Sequence, residues 1–144
     1  MMTKATCSAA GVTAIVLALA ASPLSAAERA RPGQWEFTIT RAGEAPNTFK
    51  HCISSVEAGS VNGDTTASRG AAEKAAAKAG NGCKITDYNV TGDTVSYAMK
   101  CGAVSIRSTA TYHGETSEGD TFSKRDGAAE VASHVKAKRI GDCP

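Results

Sequence analysis

No leucine occurs beyond Leu24, so residues 28–144 must build any core without the residue that most often fills one. Five Ile, seven Val and three Phe supply 15 large aliphatic or phenyl side chains among those 117 residues, a share below the roughly one-fifth under which a highly charged chain stays disordered. The charge is small, with fifteen Lys and Arg against fourteen Asp and Glu once Lys4 is set aside, so self-repulsion does not unfold this stretch. Its core is thin and needs covalent help. A near-neutral balance also excludes a charge-driven nucleic-acid binder.

Four cysteines, Cys52, Cys83, Cys101 and Cys143, are the available help. Residues 1–27 read as a removable secretory signal: Lys4, an apolar run from Ala9 to Ala21, a Ser22-Pro23 break and a small-residue end at Ser25-Ala26-Ala27. The run is too short to span a bilayer, which takes roughly 20 residues, so no membrane span is expected after processing. Cys7 precedes the run and belongs to the leader. The expected organisation is a signal over 1–27 and a single β-rich domain over 28–144, in a periplasmic or secreted setting.

An even cysteine count outside the cytosol implies two disulfides with three possible connectivities. Separations of 31, 18 and 42 residues lack the close pairs of a zinc site. Cys83 and Cys101 face each other across an expected hairpin, so a cross-strand bridge is possible. The preferred pairing is instead Cys52–Cys83 with Cys101–Cys143, because it tethers the two segments least able to hold themselves.

Alternation marks strands. Trp35, Phe37 and Ile39 share one face over 34–41, and Phe49, His51 and Ile53 share one over 48–53. Strands are expected at 83–90, 94–101, about 104–112, 120–125 and 133–140, with 115–119 a polar turn and 128–132 ambiguous. Ser54 to Gly70 lacks periodicity and reads as a loop, whereas Ala71 to Ala79 is a strong helix former stopped by Gly80. The fold class is β-rich α+β: a curled antiparallel sheet of about six or seven strands, one short helix and two disulfides.

Pro32-Gly33-Gln34-Trp35-Glu36, the four cysteines and the terminal Arg139-Ile140-Gly141-Asp142-Cys143 together resemble the exported bacterial family known as domain of unknown function 3617. The resemblance spans Gly33 to Cys143. It implies a periplasmic protein of Gram-negative cells and carries no established activity, so no catalytic residue transfers. Ala128 to Val131 is less strand-like than that resemblance leads one to expect.

Motifs for nucleophile elbows, zinc proteases, phosphate loops and dinucleotide binding are missing, so neither an enzyme nor a cofactor is implied. His51, His113 and His134 would form a metal-dependent hydrolytic site only if the fold converged them. Glu115, Glu118 and Asp120 read as a solvated turn rather than a calcium loop. His134, Lys136 and Lys138 form a basic stripe, read as protection of an exposed sheet edge rather than a contact for an anionic envelope component. If the curled sheet encloses a pocket, Trp35, Phe37, Tyr97 and Tyr112 face the ligand. The favoured function is a noncatalytic binding or envelope-associated module for a lipid, glycan or protein. The alternatives are the histidine hydrolase and an interaction domain working through a sheet edge.

Overall fold

The computed structural model describes residues 28–78, 80 and 82–144; the signal expected over 1–27 lies outside them. Seven strands form one antiparallel sheet: β1 (Gly33–Thr40), β2 (Asn47–Ile53), β3 (Cys83–Thr91), β4 (Thr94–Cys101), β5 (Val104–Tyr112), β6 (Thr116–Arg125) and β7 (Val131–Gly141). Their spatial order is β2-β1-β7-β6-β5-β4-β3, leaving the sheet open with β2 and β3 at its edges. Two-residue turns led by Gly92 (φ 57°) and Gly102 (φ 58°) link β3 to β4 and β4 to β5, where a glycine reaches the positive φ that tight hairpins need.

Register sorts the side chains into two faces. Phe49, Phe37, Ala137, Ser117 and Tyr112 are successive partners across β2, β1, β7, β6 and β5 and therefore share a face. Val135, Gly119, Ala110, Val95 and Val90 form the next row on that face. Thr121, Ser108, Tyr97 and Tyr88 form the one after. The opposite face carries Glu36, Lys138, Lys136, Glu118, Asp120 and Arg107, the solvated side of a one-sided sheet.

Two helices, not one, join β2 to β3: α1 (Ser55–Asn62) and α2 (Thr65–Lys78). The expected loop over 54–70 is overturned by caps. Ser54 accepts from the Glu57 backbone N–H at 3.2 Å while the Glu57 carboxylate accepts from the Ser54 N–H at 2.8 Å, a complete capping box. Asp64 caps α2 by accepting from the Ala67 N–H at 2.8 Å. α2 is pinned to the edge strand β3 through Thr65, whose hydroxyl accepts from the Val90 N–H at 3.0 Å.

The segment before β1 sews the helices to the sheet. Arg29 donates to the carbonyls of Val61 (2.8 Å) and Gly63 (3.0 Å) at the end of α1, and to Gly92 (2.7 Å) in the β3–β4 turn. The Asn62 side chain both accepts from and donates to the Ala30 backbone, at 2.9 and 2.8 Å. The core sits below this clamp. Trp35 is 1% exposed against Ala30 and Ala137, with Phe37, Ile53, Val61 and Tyr112 around it, and its indole N–H donates to the Arg31 carbonyl at 2.9 Å.

The disulfides are Cys83–Cys101 and Cys52–Cys143, which overturns the preferred pairing. Cys83 and Cys101 are direct partners across β3 and β4. Cys52 and Gly141 both pair with Gln34, from opposite sides of β1, and that brings Cys143 within a Cα separation of 5.4 Å of Cys52. The helical insertion is held by Arg29, Asn62 and Thr65 and needs no bridge of its own.

Candidate functional site

The face bearing Trp35, Phe37, Tyr97 and Tyr112 is the one covered by the helices. Between the layers lies a chamber of about 440 Å³, a volume within the range of small-ligand pockets. Phe37, Tyr88, Val95, Tyr97, Met99 and Tyr112 supply its sheet wall, and Ala72, Ala75 and Ala76 of α2 its roof. Small residues stand beside the aromatic rings on the same wall: Gly119 and Ala110 are partners in the middle of β6 and β5, and Ser108 pairs with Thr121. A second chamber of about 300 Å³ lies under α1, lined by Trp35, Ile53, Ala58 and Val61. Phe37, Ser60, Val61, Tyr112 and Ser117 border both.

All four residues expected to face a ligand thus border one chamber or the other. Phe37, Tyr97 and Tyr112 line the larger one, and Trp35 only the smaller, where it also forms the core. Sequence reading missed Tyr88, which is 5% exposed, stacks on Tyr97 at 6.2 Å between centroids and donates its hydroxyl to the Ser60 carbonyl of α1. The alternation of Tyr88 with Val90 was the available signal. Burial pushes the Tyr88 and Tyr112 hydroxyls up to about 12, so both stay protonated at neutral pH.

The histidines do not converge. His51 lies on β2 facing the smaller chamber, and its Nε2 is 2.9 Å from Glu57 Oε1. His134 pairs with Asp120 at 2.9 Å on the opposite face, and His113 lies in the turn between β5 and β6. Among the described residues no three His, Cys, Asp or Glu side chains could hold a metal ion together. Ser54, Glu57 and His51 are linked with the carboxylate in the middle, so the order is not the hydroxyl–imidazole–carboxylate order of a serine triad. The Ser54 backbone N–H, above all, holds the Glu57 carboxyl below the usual range against a smaller effect of burial.

The basic stripe is not at an edge. β7 lies between β1 and β6, so edge protection is overturned. Lys136 instead stands 4.0 Å from Glu118, and His134 meets Asp120, an interleaving of opposite charges on the solvated face. Glu115, expected with them in a polar turn, pairs with Arg31 at 3.0 Å, whereas Glu118 and Asp120 lie within β6.

The terminal motifs meet in space. Arg139 donates to the Pro32 carbonyl at 2.9 Å and pairs with Asp142 and Glu115, and its side chain is only 17% exposed. Gly33 (φ 145°) lies against Arg139 and the Gly141 carbonyl.

These features define a class: a small disulfide-tied protein whose open antiparallel sheet is roofed by a helical hairpin over an apolar chamber. The chain belongs to the family described as protein of unknown function (DUF3617), whose model matches residues 30–143. No curated protein and no solved structure matches it. Among the described residues no helix is long and apolar enough to cross a membrane.

Proposed function

We propose that this protein is an exported, noncatalytic binding module that holds an apolar ligand between its sheet and its helical hairpin. The chamber of about 440 Å³, walled by Phe37, Tyr97 and Tyr112, carries the reading. A filled sandwich of this size would close such a space, because interiors pack as densely as organic crystals. Here alanines of α2 stand over the sheet wall, and the space between remains open.

The sheet curls around the ligand in this reading. Residues from β1, β3, β4, β5, β6 and β7 border the one chamber, although neighbouring strands stand roughly 4.8 Å apart and a flat sheet would spread them widely. Gly119 marks the bend: a Cβ there would fall inside contact distance of the Thr109 carbonyl, a close approach only glycine permits. Export to the periplasm is supported by the leader-like residues 1–27 and by four cysteines paired in two bridges. Residues 28–144 act as one domain.

Native mass spectrometry of protein isolated without detergent tests the reading. A retained apolar molecule supports it, and so does saturable uptake of an environment-sensitive naphthylamine probe that quenches Trp35. A protein that arrives empty and takes up no probe is not a carrier of apolar ligands.

A further inference from the structure

Phe37, Ser60, Val61, Tyr112 and Ser117 border both chambers. We propose that the chambers join past these residues and together take a neutral acyl ester, its hydrocarbon chain lying across both and its carbonyl oxygen accepting from the Tyr97 and Tyr112 hydroxyls. The inference rests on the apolar-cavity reading and adds the ligand's shape, charge and polar contact.

Shape follows from the two-chamber outline. A compact ring system fills one chamber and leaves the other open, whereas a flexible chain reaches from the larger into the smaller and ends beside Ile53 under α1.

Charge excludes an acid. Among the described residues neither lining contains a lysine or an arginine. The ionisable groups there, tyrosines aside, are Glu57 and His51, with Glu118 bordering from a strand position whose side chain belongs to the solvated face, and the His51 Nε2 is already engaged by Glu57 at 2.9 Å. A carboxylate or phosphate drawn inside loses hydration with no lysine or arginine among the described lining residues to compensate it.

The hydroxyl inventory then selects the acceptor. Tyr88 is committed to the Ser60 carbonyl, and Ser108 and Thr121 are paired with each other at 3.0 Å. The Ser60 hydroxyl donates to the Glu57 carbonyl at 2.7 Å. Among the described residues, the Tyr97 and Tyr112 hydroxyls, together with that of Ser117, have no hydrogen-bond partner in the protein, and the two phenols line the larger chamber. They stand on the same face of the neighbouring strands β4 and β5, Tyr112 four residues along from Ser108, the cross-strand partner of Tyr97. Phenol hydroxyls in an apolar wall are donors, and a carbonyl oxygen has two lone pairs to accept from both.

The test displaces the naphthylamine probe from the disulfide-intact protein with three competitors of equal chain length: a fatty-acid methyl ester, the free acid at neutral pH, and the alkane. The ester is expected to bind tightest. Tyr97→Phe and Tyr112→Phe, which keep the rings, should each weaken the ester about three- to tenfold and leave the alkane unchanged. If the acid competes as well as the ester, or if both variants bind the ester like the parent, the ester assignment is wrong while the apolar cavity stands. If no competitor displaces the probe and the probe itself does not bind, both readings fall together.

Discussion

Arg139 covers Gly33 so closely that a Cβ built on the glycine comes 2.6 Å from the arginine Nε and 2.5 Å from the Gly141 carbonyl oxygen. The Pro-Gly-x-Trp segment that opens the sheet and the Arg-x-Gly-x-Cys segment that ends it are thus a single packed unit. Gly33→Ala meets a backbone clash and a φ of 145° that alanine rarely adopts, and should cost roughly 2–4 kcal/mol. Urea unfolding followed by Trp35 fluorescence measures it, and a loss under half a kcal/mol would show that Arg139 and the β7 end simply move aside.

The two bridges should differ in worth. Cys52–Cys143 spans 91 residues and Cys83–Cys101 spans 18. Chain-entropy arithmetic gives about 4.6 kcal/mol for the first and about 3.2 kcal/mol for the second. Paired Cys→Ser variants compared by denaturant midpoint check the order, and a non-reducing peptide map should yield these two linked peptides and no Cys52–Cys83 species.

Filling the larger chamber separates binding from folding. Ala76→Leu places an isobutyl group in the roof above the tyrosines, where there is room for it. Stability should hold or rise by up to about 1 kcal/mol while probe uptake drops at least tenfold. Unchanged uptake with an intact fold would locate the probe elsewhere.

Alkaline titration reads the buried phenols. Two of the three tyrosines, Tyr88 and Tyr112, ionise at about 12 rather than 10.0 in the folded protein. Because the folded value is raised, their contribution to stability is complete below the unfolded value, shrinks as pH climbs above 10.0, and is lost through about 12. Tyrosinate absorbance should show two late equivalents that appear together with loss of the Trp35 signal. Early ionisation of all three would mean that water already fills the chamber.

Glu57 titrates at the other end. Its carboxyl is lowered in the folded state, so its contribution is present above the ordinary carboxylate value and disappears as pH falls through the lowered one. Ser54→Ala removes the cap and should cost about 1 kcal/mol at neutral pH. The variant should also shed part of the parent's acid sensitivity, seen in thermal melts from neutral to acidic pH.

The strands were legible because their apolar residues alternate: Trp35, Phe37 and Ile39, or Val95, Tyr97 and Met99, allow one reading. α1 was not, because its apolar content is weak and Gly59 and Ser60 interrupt it. The Ser54-x-x-Glu57 box was its true marker, as Asp64 was for the start of α2, and both act through hydrogen bonds rather than periodicity. The disulfides were misjudged because pairing depends on which strands are neighbours, and nothing local tells β7 to add beside β1. The chamber could be only half foreseen. Alternation marks the aromatic wall, but the small residues beside it, Gly119 against Ala110 and Ser108 against Thr121, come together only through register.

Strand order carries a consequence for how the molecule is completed. Read from β3, the sheet runs β3-β4-β5-β6-β7-β1-β2, a plain meander whose chain has been opened in the middle and rejoined by the helices. As the polypeptide emerges, β1 and β2 have only each other, and a lone hairpin is marginal. They gain their place when β7 arrives, and Cys143, the partner of Cys52, follows two residues behind it. The last strand of the sheet in sequence thus holds the first in place, and the Cys52–Cys143 bridge spans that seam.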